Sequence, residues 1–334
     1  LNKYLFLIIA LVVLINSSLF IGNYEISFDN YINFTKALFG FKSNLSQEQY
    51  DLLKSIIFDI RLPRIIAAAM IGASLAISGA SFQAMFVNPL VSPGILGVLS
   101  GASFGAALGM VLGWSWFFIN LSTFIFGFLA VVFALFISYI YSNAKNMIIL
   151  VLGGIISSSL FGALLSILKY SADPYDTLPA ITYWLMGSLS FSTSSIVWNL
   201  TIPMLLGVFI LIFLSKYLNA LSLGDEEAKA LGVDTKKIKI VVILVATFIS
   251  ALSVILAGII GWIGLIIPHI VRFLFGADNK IVLPISAIVG AIFLLIVDNT
   301  SRMIFSFEIP IGIVTSIIGI PIFILVLKNA KKGF

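Results

Sequence analysis

Ten apolar runs, most of them close to the ~20 residues needed to cross a bilayer, alternate with polar breaks along the chain. They lie near 4–21, 63–86, 94–113, 116–140, 147–169, 196–217, 240–257, 259–275, 281–303 and 310–328. Each predicts a membrane-spanning helix. The first run, preceded by Lys3, competes with a secretory signal peptide. Its length, and the lack of a small-x-small cleavage site after it, favour a retained span.

Two polar stretches are longer than a turn. Residues 22–60 form the first, expected outside the cytoplasm. Within it Ser46-Gln47-Glu48-Gln49 has the form of a capping box, and Leu53, Ile56, Ile57 and Ile60 recur at helical spacing. This predicts a short helix lying on the membrane surface. A wet segment with Asp173, Pro174, Asp176 and Pro179 precedes the sixth run. Residues 218–239 form the second island. In it Gly224 to Val233 predicts a short helix, with Asp225, Glu226 and Glu227 at its positive N-terminal end and Gly232 closing it.

Composition sharpens this picture. The 334 residues are 60% hydrophobic and 10% charged, with mean hydropathy +1.16, whereas soluble domains are roughly 45–50% apolar and about 25% charged. Lipid is therefore the solvent for most of the chain, and 1–334 is expected to be a single transmembrane domain. The absence of cysteine excludes disulfides, thiolate metal sites and cysteine nucleophiles. A net charge of +5 does not point to nucleic acid, because the basic residues are scattered between apolar runs. They carry a topology signal instead. With the N-terminus inside, Lys36, Lys42, Lys54, Arg61, Arg64, Lys169 and Arg302 fall outside and the other 12 of the 19 basic residues inside. Both termini are then cytoplasmic, which an odd number of spans would not allow.

Candidate chemistry is sparse. The third run carries Gly97, Gly101, Gly105, Gly109 and Gly113, and the second repeats the idea with Gly72, Ala76 and Ala80. Small residues at such spacing let helix backbones approach closely, the main cohesion available in lipid; lining a substrate path is the other use. No Gly-x-x-x-x-Gly-Lys-Ser/Thr loop is present, so the chain has no P-loop of its own. The single histidine, His269, has no partner ligand nearby and is taken as structural. No Asp or Glu is expected deep in the spans, which disfavours an ion-coupled carrier. Arg61, Arg64 and Arg302 are too costly for the bilayer centre and fall at the outer interface. They are either lipid anchors or a cationic rim for an acidic partner. The 224–233 helix is either a solvated connector or a docking element. Asn88-Pro89-Leu90-Val91-Ser92-Pro93 marks a chain reversal between spans.

In order along the chain, Arg61-Leu62-Pro63-Arg64, Gly72-Ala73-Ser74-Leu75-Ala76-Ile77-Ser78-Gly79, Asn88-Pro89-Leu90, Tyr183-Trp184-Leu185-Met186-Gly187-Ser188, Gly224 to Val233, Gly261 to Arg272 and Glu308 to Thr315 resemble the FecCD-type permeases of ABC importers for iron-siderophores, haem and cobalamin. The resemblance implies an all-α integral membrane protein of about ten transmembrane helices with the type II, cobalamin-permease-like fold. It implies import of an iron-siderophore or similar metal chelate across the bacterial inner membrane, with haem, cobalamin and molybdate or tungstate as alternatives. The implied partners are a second copy of the chain, two ATP-binding subunits that hold ATP and Mg, an extracytoplasmic substrate-binding protein and membrane lipid; no cofactor is implied on this chain. By the same resemblance Arg61, Arg64 and Arg302 dock the binding protein. Asp225, Glu226, Glu227, Ala228, Leu231 and Gly232 couple to the ATPase, and Asn88 and Leu90 narrow the cytoplasmic end.

Overall fold

The computed structural model describes residues 2–22, 24–142, 147–304 and 307–330, and among these every apolar run is helical and no strand occurs. Lys145, Lys331 and Lys332, counted above as inner charges, lie outside the described residues. In chain order the helices are α1 (Asn2–Ser18), α2 (Phe28–Leu38), α3 (Gln47–Ser55), α4 (Leu62–Phe86), α5 (Val98–Val111), α6 (Trp116–Ser142), α7 (Met147–Ser171), α8 (Thr177–Leu185), α9 (Ser194–Phe213), α10 (Ser215–Leu221), α11 (Asp225–Ala230), α12 (Thr235–Ala257), α13 (Ile263–Phe275), α14 (Asn279–Met303) and α15 (Ile311–Ala330). Six stretches among the described residues are long and apolar enough to cross a membrane, and four shorter apolar helices within α1, α5, α13 and α15 bring the number to ten. The architecture is all-α with about ten transmembrane helices.

Several boundaries depart from the expectations, each for a local reason. The capping box forms: Ser46 Oγ accepts from the Gln49 amide, and the Gln49 side chain accepts from the Ser46 amide. The helix it starts is not a separate surface helix, however, but runs on without a break to Phe86. Pro63 lies inside that continuous helix, where its ring lacks an amide donor and crowds the preceding turn. A π-helical stretch over Ile56–Arg61 adjoins it, widening the turn immediately before the proline. The 196–217 run is broken at Leu214 into α9 and α10. The 259–275 run becomes helical only at Ile263, after Gly258 and Trp262 both adopt positive φ. Helices α2 and α8 were hidden in segments assigned to polar connections.

The core forms around α4. The most apolar window of the helix containing it is 78% buried, whereas the windows of α7 and α9 are 28% buried and present apolar faces outward. α4 packs against α14, α12, α9 and α13, while α5, α6 and α7 form a second group. Small residues make the central position possible. A Cβ at Gly72 would sit 2.2 Å from the Gly290 carbonyl oxygen, and one at Gly290 would sit 2.3 Å from that of Gly72. The α4 and α14 backbones therefore touch at that crossing. In α5, Gly101, Gly105 and Gly109 press on Phe126, Ser122 and Ile119 of α6. Gly97 and Gly113 instead terminate the helix with positive φ, so the five-glycine stripe divides into three packing positions and two ends.

A second close junction gathers three breaks distant in sequence. The Ser188 amide donates to the Ala257 carbonyl (2.9 Å), that of Ile311 to Gly187 (2.8 Å) and that of Gly312 to Met186 (3.1 Å). Gly187, Gly258 and Gly312 line this junction, and a Cβ on any of them would come within 2.5 Å of a carbonyl oxygen.

Gly72→Val is expected to destabilise the protein by about 1–3 kcal/mol, since carbonyl backbone cannot yield as a side chain would. Gly162→Ala, in α7 with nothing within 4 Å of the new methyl, is expected to stay within about 0.5 kcal/mol of the parent. Thermal unfolding of the detergent-purified variants checks both.

Candidate functional site

At one end of the α4–α14 pair the three arginines singled out in the sequence converge, although they come from positions 61, 64 and 302. Antiparallel packing across Gly72 and Gly290 brings the start of α4 to the end of α14. Arg64 bonds Asp298 through Nε (2.9 Å) and Glu308 through Nη1 (2.9 and 3.0 Å). Arg302 pairs with the same Asp298 (3.0 Å) and donates to the Ile21 carbonyl (2.8 Å) and Asn299 Oδ1 (2.7 Å). Arg61 donates to the carbonyls of Leu19 and Tyr24. Together with Glu308, Tyr24 and Ile60 these residues line a cavity of about 250 Å³.

The cluster is recessed, which corrects the expectation of an exposed rim. Arg61 is 4% exposed, the Arg64 and Arg302 side chains 11% and 6%, and Asp298 is fully buried. Guanidinium groups this dry need partners, and two internal carboxylates supply them. Asp298 was not singled out from the sequence: it lies near the end of its span, level with Arg64, yet is fully buried among side chains. It sits in α14 four residues before Arg302, and that i, i+4 spacing was the available signal. Glu308, on the α14–α15 connection, is the accessible member, its side chain 33% exposed. Its second oxygen also accepts from Ser190 Oγ (2.8 Å), a contact between residues 118 positions apart that no local pattern announces. Burial acts to raise the Glu308 pKa, but Arg64 and the Ser190 hydroxyl outweigh it and hold the carboxyl below its ordinary value.

At the opposite end, α11 has the form the sequence predicted. Gly224 precedes it and Asp225, Glu226 and Glu227 fill its first turn. Gly232 at φ +80 ends it, with the Val233 amide donating to Ala228 and that of Gly232 to Lys229. Lys239 of α12 clasps Asp225 (2.6 Å), and Lys229 pairs with Glu226 on the exposed face (2.7 Å). Ala228 is fully buried within the chain, whereas Leu231 is 64% exposed. Of these two residues only Leu231 is therefore on the free surface of the chain. Nearby Asn219 donates to Asp278 (2.6 Å), which lowers that carboxyl's pKa, and accepts from the Asn279 amide (2.8 Å).

The Asn88 turn closes α4 at this end. Val87 takes a left-handed conformation, Asn88 Oδ1 accepts from the Leu90 amide (2.9 Å), and Leu90 is 58% exposed. One network here was not anticipated. Arg272 of α13 donates to Gln83 Oε1 and to the Ala80 carbonyl (3.3 Å), and Gln83 Nε2 donates to the carbonyls of Gly264 and Leu265 (3.3 Å each). His269 bonds the Leu265 carbonyl through Nδ1 (2.7 Å) and meets Phe323 edge-on.

Comparison with known proteins agrees with this architecture. The FecCD transport family matches residues 9–329. The chain is 42% identical over 282 residues to the molybdate import system permease protein MolB of Haemophilus influenzae, covering 84% of this chain and 83% of that one. It is 33% identical over 338 residues to the hemin transport system permease protein HmuU of Yersinia pestis, covering 98% and 96%. A solved structure described as an inward-facing conformation of a metal-chelate type ABC transporter matches with a TM-score of 0.87 at 39% identity, covering 98% of this chain and 100% of that one. Packed apolar helices in a chain matched over residues 9–329 define a multi-pass membrane protein, the permease subunit of an ABC transporter. The chain belongs to the FecCD transport family.

Removing Asp298 leaves buried Arg302 with no carboxylate and Arg64 with Glu308 alone, so Asp298→Ala is expected to destabilise the protein by roughly 3–5 kcal/mol in chemical denaturation. Glu308 behaves differently. Its folded pKa is depressed, so its contribution is complete above the unfolded value of about 4.3 and is lost as pH falls through the folded value. The stability gap between wild type and Glu308→Gln should thus be constant near neutrality and close on acidification below about pH 4.

Proposed function

We propose that this chain is the membrane pathway of a binding-protein-dependent importer in the bacterial inner membrane, carrying an iron-siderophore or similar metal chelate inward. Hydrolysis of ATP, with Mg, takes place on two separate subunits. The observation that carries the reading is the polarity of the molecule. One end of the α4–α14 pair gathers three guanidinium groups around a cavity, and the other end presents an acid-tipped helix with an exposed leucine. The arginine end faces outward and receives an acidic substrate-binding protein at Arg61, Arg64 and Arg302. The α11 end faces the cytoplasm, as do both termini, and transmits the ATPase stroke through Asp225 to Gly232. The Asn88 turn, with Leu90 exposed, narrows the pathway at that same end. The outward apolar faces of α7 and α9 suit lipid or a second copy of the chain, with which it encloses one pathway. Molybdate is the second reading of the substrate, favoured by the 42% identity to a molybdate permease.

The purified chain alone in proteoliposomes should show neither ATP hydrolysis nor substrate uptake. Coexpressed with a P-loop ATPase of this importer type from the same genome, it should copurify with that subunit and hydrolyse ATP. Leu231→Asp should leave the fold intact, because the side chain is already exposed, yet place an unpaired charge in the ATPase contact. Uptake is then expected to fall at least about tenfold while thermal stability stays within about 0.5 kcal/mol. Normal assembly and uptake in that variant would make α11 only a connector.

A further inference from the structure

We propose that Glu308 is an internal stand-in for the docking partner's carboxylate, occupying Arg64 in the free permease and giving it up when the partner binds. The inference rests on the docking role assigned above to the arginines. The two carboxylates of the cluster differ in the way an exchange requires. Asp298 is fully buried in α14 and joins Arg64 to Arg302, so it holds the guanidinium groups in place and is beyond the reach of an incoming group. Glu308 sits on the short connection between α14 and α15, lines the cavity and is the most exposed of the charged side chains there. It meets Nη1 of Arg64 with both oxygens, a charge-assisted contact that an external carboxylate would take over.

The charge balance also fits an exchange. Three guanidinium groups face two carboxylates, and Arg61 bonds only backbone carbonyls among the described residues. The cluster thus keeps a surplus positive charge beside a cavity of about 250 Å³. That surplus attracts an acidic group, which on entering finds Nη1 of Arg64 already taken. Displacing Glu308 releases its hold on Ser190 Oγ as well, so one event removes a side-chain tie between the connection before α15 and the segment between α8 and α9. A permanently filled Arg64 would otherwise leave docking to Arg61 and Arg302, both more deeply buried.

The test uses the full chain in phosphatidylcholine nanodiscs and a fluorescent hexaglutamate peptide as the acidic probe, at low and at physiological salt. Glu308→Gln is expected to bind the peptide about tenfold more tightly than wild type, the worth of one charge-assisted bond no longer competing. Ser190→Ala keeps the carboxylate but removes one of its holders, and should tighten binding in the same direction by a smaller factor. It also decides the matter if Glu308→Gln does not fold. Glu48→Gln removes an acidic charge at the same end without touching the cluster and should leave affinity unchanged. Equal tightening by Glu48→Gln would overturn the proposal in favour of general charge. Equal salt-sensitive binding by wild type, Glu308→Gln and Ser190→Ala would overturn the stand-in role and leave the docking role standing. Absence of salt-sensitive binding in every variant would overturn both.

Discussion

The backbone contact between Gly72 and Gly290 sets the geometry on which much of the rest depends. In a bilayer, apolar side chains gain little by leaving lipid for one another, so helices are held by how closely they fit. Two glycines facing at an antiparallel crossing fix the separation, register and rotation of α4 against α14 together. Arg64 lies eight positions from that crossing toward the start of α4, and Asp298 eight positions toward the end of α14. Equal steps in opposite chain directions place the two charges side by side, which is why the pair closes at 2.9 Å. The same helix meets α13 where Gly79 faces Gly264, so α4 is positioned by glycines along two seams and is buried on nearly every side.

The helices were largely legible because burial in lipid demands long apolar runs, whichever neighbours they meet. What the runs conceal is where a helix pauses. Trp262 delays the helix in one apolar run and Leu214 interrupts another, and hydropathy has no sensitivity to φ. α8 was missed because Asp173 and Pro174 lie just before its start and Pro179 inside it, residues that are common in loops and equally at home around a first helical turn. Among the charged residues, position along the chain predicted that 61, 64 and 302 fall at one end. It did not predict their burial, which depends on carboxylates reaching them from α14 and from the connection after it. Asp298 was discoverable from its spacing to Arg302. The bond from Ser190 to Glu308 was not, since only the tertiary fold brings those segments together.

Electrostatics at the two ends follow opposite designs. Around Arg64 the charges are dry and mutually obliged, so losing one partner isolates another. Around α11 they are wet: Lys229 and Glu226 lie in solvent, where such a pair contributes little. What shapes α11 is its buried Ala228, its glycine terminator and the Lys239 clasp. One end is organised by ion pairing and the other by backbone geometry, with charge left over at the surface.

The glycine junction near Gly187, Gly258 and Gly312 bears on how displacement travels through the molecule. Helix α12 ends there, its Ala257 carbonyl bonded by Ser188, and Ile311 and Gly312 at the start of α15 are bonded to the same short segment. At its other extremity α12 carries Lys239, which grips α11 through Asp225. The 23 residues of α12, roughly 35 Å of unbroken helix, therefore form a strut pinned at both ends. Because the junction has no room even for a methyl group, it offers little slack to absorb a small shift. A movement imposed on the segment before α15 has a stiff route to the far side of the membrane.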